Sequence, residues 1–344
     1  MARSAGLSQT AYNALIEAYK KHGTINDAAK ECGIHPRSAR EYIRGNYKPA
    51  PDTNPDAGLI IENLRKELQT TRDALTAAKR PRYTVRSDNI ARGEKIVVTV
   101  IGDAHDSPHI PDKSRFKWLG KHVKETKPDF VIQIGDIATF DSVSTHTSNH
   151  TIEGKSKPKI IDDINSLNLA LDAFNSGLGS YSVPKHITLG NHERRVFAFE
   201  NENPEIDGMA SHLLDQCLTT RGWTYSPYGD PYFIGGVAFL HCAINRMGKA
   251  FGGKTAENQI ANESITDCVI GHSHIKRVTK HSKLHHRHVT IANAGCALPN
   301  EYIEDYAKHA QTGWSYGVMT LVIHNKHITD DQWVSMATLE KRYG

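Results

Sequence analysis

The chain has 344 residues, of which 38% are hydrophobic and 23% are charged, and its formal net charge is +4. These values describe an ordinary globular protein with room for one large and one small domain. The apolar runs fall short of the ~20 residues of a transmembrane helix, and the N-terminal segment lacks the apolar core of a signal peptide. Because the five cysteines show no CxxC spacing, we expect a cytoplasmic protein with reduced thiols and no membrane partner.

Three helices are predicted in the first fifty residues. Ser8 is placed to cap a helix over residues 9–22, and Thr24 to cap a second, short helix. Pro36, near the first helical position, begins a third helix that ends at Gly45. A short helix, a glycine-containing turn and another helix resemble a helix-turn-helix domain.

The third predicted helix carries the candidate DNA contacts. Arginine contacts phosphates or guanine edges and serine contacts either, so the candidates are Arg37, Ser38, Arg40 and Arg44. The first fifty residues hold 8 lysines and arginines against 4 aspartates and glutamates, which accounts for the whole net charge. Because this excess is modest, DNA binding by this segment alone would be weak and salt-dependent. Docking to a protein and a purely structural role remain alternatives.

A spacer and a longer helix follow. Prolines between Pro49 and Pro55 predict a stiff, extended spacer. Apolar residues then alternate three and four apart over residues 57–79, which predicts a helix with a short heptad seam, suited either to a homodimer or to packing along the rest of the chain. The predicted organisation is a helix-turn-helix domain at 1–48, a linker with the heptad helix at 49–92 and a catalytic domain at 93–344.

Five polar segments lie in the third region, and each follows an apolar, β-branched run typical of a strand. They read Gly102-Asp103-Ala104-His105, Gly135-Asp136, Gly190-Asn191-His192-Glu193, His241 and Gly271-His272-Ser273-His274. Aspartate, histidine and asparagine at strand ends, mostly just after glycine, suit divalent cations that prefer oxygen and imidazole ligands. Seven such side chains suffice for two adjacent metals when one carboxylate bridges them, and paired metals hydrolyse phosphate esters.

In this order, the segments resemble the calcineurin-like metallophosphoesterase superfamily over about residues 93–325. The resemblance implies two divalent cations, manganese first, with iron, zinc, nickel or cobalt compatible with the same donors. It implies a catalytic set of His192, Asp136 and Asn191, in which His192 acts near the leaving group as general acid or transition-state stabiliser. The implied ligands are Asp103, His105 and His274 for the first metal, Asn191, His241 and His272 for the second, and Asp136 between the two.

Strand and helix patterns alternate in this region and then turn strand-rich. Helices are predicted over residues 116–124, 160–174 and 204–217, and later strands over residues 289–292 and 318–323. This order indicates an α/β fold of two mixed sheets packed face to face with helices outside. The resemblance implies the same four-layer αββα sandwich, with its metal site on loops at the strand ends.

Basic side chains near the five segments are candidate substrate contacts. Arg194 or Arg195 is placed to clamp a phosphate oxygen, because arginine matches phosphate bidentately. A basic hairpin predicted over residues 276–288 is suited either to holding a polyanion or simply to facing solvent.

One departure from the superfamily bears on the substrate. The Ser/Thr protein-phosphatase branch carries an aspartate three residues after the bridging aspartate, followed by an arginine, where this chain has Thr139 and Phe140. The acid that orients the catalytic histidine in that branch is therefore not matched, which disfavours a protein phosphatase. Asp141 and Glu193 are the candidates to replace it.

Together these features predict a dimetal phosphodiesterase or nuclease that acts on DNA and is tethered to it by the helix-turn-helix domain. The alternative is a phosphomonoesterase acting on a phosphoprotein or nucleotide, with the N-terminal domain used for docking. A third hypothesis, a DNA-binding or assembly protein with a structural metal site, is disfavoured by the complete ligand set and by His192. Fusions of this kind resemble bacteriophage or prophage proteins, which would place the chain in a bacterial host cytoplasm.

Overall fold

The computed structural model describes residues 7–49, 94–145, 152–253, 255–285, 287–304 and 313–344, together with Lys66, Thr70 and Ala307. The chain divides into two compact units, Met1–Arg82 and Tyr83–Gly344. Apart from Lys66 and Thr70, the heptad helix predicted over residues 57–79 lies outside the described residues. The homodimer through that helix therefore stays a prediction.

Residues 7–49 of the first unit contain three helices. They are α1 Gln9–His22, α2 Ile25–Glu31 and α3 Pro36–Ile43. The side chain of Ser8 caps α1 by accepting a hydrogen bond from the Ala11 amide, and Thr24 caps α2 in the same way. All three helices begin as predicted. Their apolar faces meet in a small core of Leu15, Ala18, Ala28, Ala29, Ala39 and Tyr42.

The second unit contains two β-sheets and flanking helices. Its strands are β1 Ile96–Ile101, β2 Phe130–Gln133, β3 Lys185–Thr188, β4 Trp223–Ser226, β5 Tyr232–Ile234, β6 Val237–Phe239, β7 Cys268–Ile270, β8 Lys276–Ser282, β9 His288–Ala294, β10 Gly317–His324 and β11 His327–Ser335. Its helices are α4 Ser114–Thr126, α5 Ile152–Lys155, α6 Ile160–Leu178, α7 Asn191–Glu202, α8 Met209–Thr219, α9 Ala256–Glu263 and α10 Met336–Tyr343.

Both sheets are mixed, as the sequence predicts. The six-stranded sheet has the order β11-β10-β1-β2-β3-β4, in which β1 to β4 run parallel and β10 and β11 are antiparallel. The five-stranded sheet has the order β5-β6-β7-β9-β8, with β6, β7 and β9 parallel between antiparallel edge strands. Within each sheet, the carboxyl ends of the parallel strands therefore meet at one edge.

The layers follow from which side chains each sheet buries. Val98 and Val100 of β1 pack with Phe239 of β6 in a core between the two sheets. Ile101 instead lies in a core with the helices that cover the six-stranded sheet, and α9 covers the other sheet through Ile260. The fold is therefore the predicted sandwich of helices, sheet, sheet and helices. Among the described helices, none combines the length and apolarity that a bilayer crossing requires.

One predicted helix is wrong in detail. The pattern over residues 204–217 predicts a single helix, but the chain forms a short 3-10 turn at Pro204–Ile206 and then α8 from Met209. Gly208 lies between them with φ 82°, a left-handed conformation that breaks a continuous helix and that glycine adopts at little cost.

Candidate metal centre

Five strand ends bring the predicted donors together. The parallel strands β1, β2 and β3 end at one edge of their sheet, and β6 and β7 end beside them in the other sheet. A hydrogen bond joins the two sheets here, because Nδ1 of His241 donates to the Ile134 carbonyl at 3.0 Å. The donors follow the strands in this order: Asp103 and His105 after β1, Asp136 after β2, Asn191 after β3, His241 after β6, and His272 and His274 after β7.

Three buried side chains form what we call the first cluster: Asp103, His105 and His274. Nε2 of His274 lies 3.1 Å from Oδ2 of Asp103 and 3.1 Å from Nε2 of His105. The two imidazole nitrogens thus face each other beside a carboxylate. One cation between these three atoms would satisfy all of them.

The second cluster consists of Asn191, His241 and His272. Nε2 of His241 lies 3.0 Å from Oδ1 of Asn191 and 3.2 Å from Nδ1 of His272. His241 is buried, Asn191 is half-buried and His272 is exposed. This cluster is therefore the one that solvent reaches.

A single carboxylate oxygen lies between the two clusters. Oδ2 of Asp136 is 3.9 Å from Nε2 of His105 in the first cluster and 3.2 Å from Nε2 of His241 in the second. It also lies 3.9 Å from Nε2 of His192. This is the placement that a bridging ligand requires, and the bridging role of Asp136 stays a prediction.

The electrostatics of the clusters fit bound cations. Burial alone would raise the pKa of Asp136, but the adjacent His241 and His192 hold that pKa well below its usual value. Burial alone would lower the pKa of His241, but Asp136 and Asp103 raise it to about 10. The buried carboxylates therefore require positive charge around them. Divalent cations supply that charge and displace the imidazole protons, so these nitrogen and oxygen donors fit two such ions.

Four of the seven donor residues have a left-handed backbone. The φ angles are 43° at His105, 48° at Asp136, 70° at His272 and 58° at His274. Such a conformation costs a non-glycine residue on the order of 1–3 kcal/mol and persists only where the surroundings enforce it. Its repetition indicates that the loops are shaped to aim these side chains at one point.

The glycines before the donors allow close packing. A Cβ atom on Gly190 would lie 2.1 Å from Oδ1 of Asp136, and one on Gly271 would lie 2.4 Å from Oδ1 of Asp103. Both distances are far inside van der Waals contact, so only glycine fits at either position.

We expect the Gly190→Ala substitution to displace the Asp136 carboxylate. Overpacking of this kind costs about 1–3 kcal/mol of unfolding free energy, and the second manganese equivalent should bind more weakly. Thermal unfolding and calorimetric manganese titration check both effects. Gly252→Ala is the matched control, because its Cβ would meet no atom within 4 Å. Wild-type stability and manganese binding in Gly190→Ala would contradict the close packing described here.

His192 lies beside Asp136, with its Nε2 3.9 Å from Oδ2 of that carboxylate. Its Nδ1 donates to the Thr139 carbonyl at 2.9 Å, and Arg195 donates to the same carbonyl at 2.9 Å. Arg195 also reaches Nε2 of His192 at 3.2 Å. Burial lowers the pKa of His192 to about 4, so the free ring is neutral near pH 7. The Nε2 lone pair therefore faces Asp136 and Arg195.

Neither candidate acid orients His192, so that expectation is wrong. The Thr139 carbonyl orients the ring, and Asp141 instead lies 3.9 Å from Nη1 of Arg195. Burial raises the pKa of Glu193 to about 7. Its carboxyl group accepts hydrogen bonds from the backbone amides of Asp136, Ala138 and Gly190. Glu193 therefore ties the loop after β2 to the start of α7.

The two candidate phosphate-binding arginines occupy different surroundings. Arg195 is half-buried beside His192, whereas Arg194 is exposed, with its guanidinium 5.2 Å from the centre of the Tyr228 ring. That ring lies 6.4 Å from the ring of His241. Sequence reasoning missed Tyr228, and it missed Glu304, whose Oε1 is 3.1 Å from Nδ1 of His105. Neither residue belongs to a motif, so the sequence contains no local signal for them.

The remaining candidates lie elsewhere. Exposed side chains on α3 and at its C-terminal end include all four candidate DNA contacts: Arg37, Ser38, Arg40 and Arg44. The basic hairpin forms as β8 and β9. Its Lys276 pairs with Asp331 at 3.3 Å and its Arg277 with Glu257 at 3.1 Å. These two cations are thus paired with carboxylates, and the choice between a polyanion site and a hairpin that faces solvent stays a prediction.

Comparison with known proteins gives one family match. Residues 96–276 match the model of the calcineurin-like phosphoesterase family. Among solved structures, wild-type Vps29 complexed with zinc from Entamoeba histolytica is 12% identical, covers 70% of this chain and 99% of its own, and has a TM-score of 0.33. A second crystal structure is also 12% identical, covers 71% of this chain and all of its own, and has the same TM-score. No curated protein matches the chain.

The family match covers the whole candidate centre. The matched stretch exceeds half of the chain and contains His192 and all seven donor residues. Structural similarity at a TM-score of 0.33 is too weak to support a family assignment. The assignment therefore rests on the matched residues 96–276. The chain therefore belongs to the calcineurin-like phosphoesterase family, and it is a metal-dependent phosphoric ester hydrolase.

Proposed function

We propose that the protein is a dimetal phosphodiesterase that cleaves DNA and is tethered to it by the first unit. The observation that carries the hydrolytic part is the position of Asp136 Oδ2, which lies within 3.9 Å of donors from both clusters and of His192. Held by the seven donors, two cations would lower the pKa of a water molecule and would align the attacking and leaving oxygens. Manganese is the proposed metal, and the seven oxygen and nitrogen donors are also compatible with iron, zinc, nickel or cobalt.

The side chains around Asp136 then have separate tasks. The Thr139 carbonyl fixes the ring of His192, so that Nε2 points toward the space beside Asp136. To act on the leaving oxygen there, Nε2 must carry a proton, and the negative charge of a bound phosphate favours that protonated form. Arg195 presents a guanidinium at the same place, and its planar fork suits a non-bridging phosphate oxygen.

The region around Phe140 disfavours a phosphoprotein substrate. Phe140 occupies the position of the phosphate-binding arginine of the protein-phosphatase branch, and its side chain is fully buried in the core. The arginine nearest to His192 comes instead from α7, as Arg195. A phosphate group at this site would therefore meet an arginine from a different element than in the protein-phosphatase branch.

The first unit supports DNA as the substrate. Helix α3 exposes Arg37, Ser38 and Arg40, and its C-terminal cap exposes Arg44. The first fifty residues also carry the whole net charge of the chain. A tether of this kind raises the concentration of DNA at the catalytic site without tight binding by either unit.

The substrate class is tested with two chromogenic esters. In manganese, we expect the protein to hydrolyse bis-p-nitrophenyl phosphate faster than p-nitrophenyl phosphate, and then to cleave plasmid and single-stranded DNA. Metal analysis of the same preparation should give two ions per chain. Cleavage of the monoester alone would refute the nuclease and favour the phosphomonoesterase with a docking domain.

The tether is tested by charge removal at α3. Replacing Arg40 and Arg44 by glutamine should weaken DNA binding and make its salt dependence shallower by about one unit for each arginine that neutralises a phosphate in the wild type. Lys20→Gln, which removes an exposed cation on α1, is the control. Turnover of the chromogenic diester should not change in either variant. Unchanged DNA affinity after both arginine substitutions would refute the tether.

A reducing compartment is also part of the proposal. All five cysteines are free thiols, and all but Cys32 are buried. Free, buried thiols are typical of cytosolic proteins.

A further inference from the structure

Glu304 lies on the opposite side of His105 from the metal centre. Its side chain is buried, and Oε1 is 3.1 Å from Nδ1 of the imidazole. The other ring nitrogen, Nε2, faces Nε2 of His274 at 3.1 Å and Oδ2 of Asp136 at 3.9 Å. The imidazole therefore has the Glu304 carboxylate at one edge and the donor atoms of His274 and Asp136 at the other.

The segment that carries Glu304 is anchored to the metal centre on both sides. Before it, the Ala297 amide donates to the Asp103 carbonyl at 2.8 Å. After it, the Ser315 amide donates to the His274 carbonyl, also at 2.8 Å. The segment lies outside residues 96–276, which match the family. Glu304 therefore lies outside the residues that match the family model.

The chemistry of an imidazole ligand explains why a carboxylate belongs here. A histidine that binds a cation through Nε2 keeps its proton on Nδ1, and an acceptor at Nδ1 fixes the tautomer, the ring orientation and the basicity of the ligand. His105 needs such an anchor, because its backbone is left-handed, with φ 43°. Oε1 of Glu304 and Nδ1 of His105 are in ion-pair contact at 3.1 Å without the alignment of a hydrogen bond, and neither Nδ1 of His105 nor Oε2 of Glu304 has a hydrogen-bond partner among the described residues. The contact with His105 is therefore the main polar interaction of this carboxylate.

We propose that Glu304 is a positioning residue, which holds His105 in the tautomer that offers Nε2 to a divalent cation and so raises the cation affinity of the first cluster. The proposal rests on the cation binding of the proposed function. It is independent of the choice of DNA as substrate.

Manganese titration of the chelator-treated full chain tests the proposal. Calorimetry on the wild type should resolve two equivalents. Glu304→Gln keeps the shape but removes the charge, and it should weaken one equivalent by about 10–100-fold while the other changes by less than about twofold. Glu301→Gln is the matched control, because Glu301 is exposed on the same segment. Its two affinities should equal those of the wild type.

A double-mutant cycle separates positioning from general destabilisation. In a His105→Ala background, Glu304→Gln should cause no further loss of manganese affinity, because its partner is gone. Wild-type affinities in Glu304→Gln, an equal loss at both equivalents, or an additive loss in the cycle would overturn the proposal. If Glu304→Gln does not fold, Glu304→Asp replaces it, because aspartate withdraws the carboxylate by one methylene. The same results are then expected, and the same results would overturn the proposal. A wild type that binds fewer than two equivalents would instead overturn the proposed function.

Discussion

Replacing Asp136 by asparagine is expected to lower kcat for bis-p-nitrophenyl phosphate by about a thousandfold. Oδ2 of Asp136 lies between the two clusters, so the substitution removes the charge that both cations would share. Paired cations contribute several kcal/mol to transition-state stabilisation, and each 1.4 kcal/mol or so corresponds to about tenfold in rate. Steady-state kinetics in saturating manganese, with metal analysis of the same samples, measures the loss and its cause.

Asp163→Asn is the control for this experiment. Asp163 is also a buried carboxyl group of the second unit, and burial raises its pKa to about 6. It accepts a hydrogen bond from the Ser142 amide and contacts none of the seven donors in the structure as described. Its substitution should leave kcat within about twofold of the wild type, as expected of a site without shared partners. Hydrolysis at the wild-type rate by Asp136→Asn would show that the catalytic assignment is mistaken.

Removing the imidazole of His192 is expected to lower kcat by about 10²–10⁴-fold, the range of a positioned acid–base group. Metal content should stay at the wild-type level, because the seven predicted donors remain; loss of an ion would instead make His192 a ligand, since it forms with His105 and Asp136 a further group that could hold a metal ion. The comparison of two leaving groups defines its role. Nitrophenolate departs without a proton, whereas the alkoxide of DNA needs one. A general acid therefore produces a larger loss on DNA, and a transition-state stabiliser produces equal losses on both.

His212→Ala serves as the control for His192→Ala, because His212 is exposed on α8 and contributes to neither cluster. Its kinetics should match those of the wild type on both substrates. If His192→Ala keeps full activity on DNA and on the diester, His192 has no part in the reaction and the proposed role of Arg195 beside it loses its basis.

Local sequence predicted most strands that carry the donors. The apolar, β-branched runs before Gly102 and Gly271 form β1 Ile96–Ile101 and β7 Cys268–Ile270, because such runs ended by glycine are strong strand signals. In contrast, β11 was not predicted, since its charged and amide residues interrupt any alternation. Helix α7 was also missed. Its first turn is polar and is stabilised by Glu193, which accepts from the Gly190 amide at 2.7 Å.

The orientation of His192 shows where sequence reasoning failed. Comparison with the protein-phosphatase branch called for an acid, and Asp141 and Glu193 were the nearest carboxylates along the chain. The structure uses the Thr139 carbonyl instead. A backbone carbonyl carries no side-chain signature, because every residue has one.

The sequence by itself determined the types and order of the donors, because each follows directly on a strand whose apolar pattern is local. Tertiary structure alone decided which atoms meet. His105 and His274 are 169 positions apart, yet their Nε2 atoms are 3.1 Å apart. The position of Asp136 between the two clusters, the Thr139 carbonyl beside His192 and the Glu304 carboxylate beside His105 likewise depend on how two sheets and their loops pack. Such contacts arise from the burial of distant apolar faces, and that burial leaves no trace in the residues next to each donor.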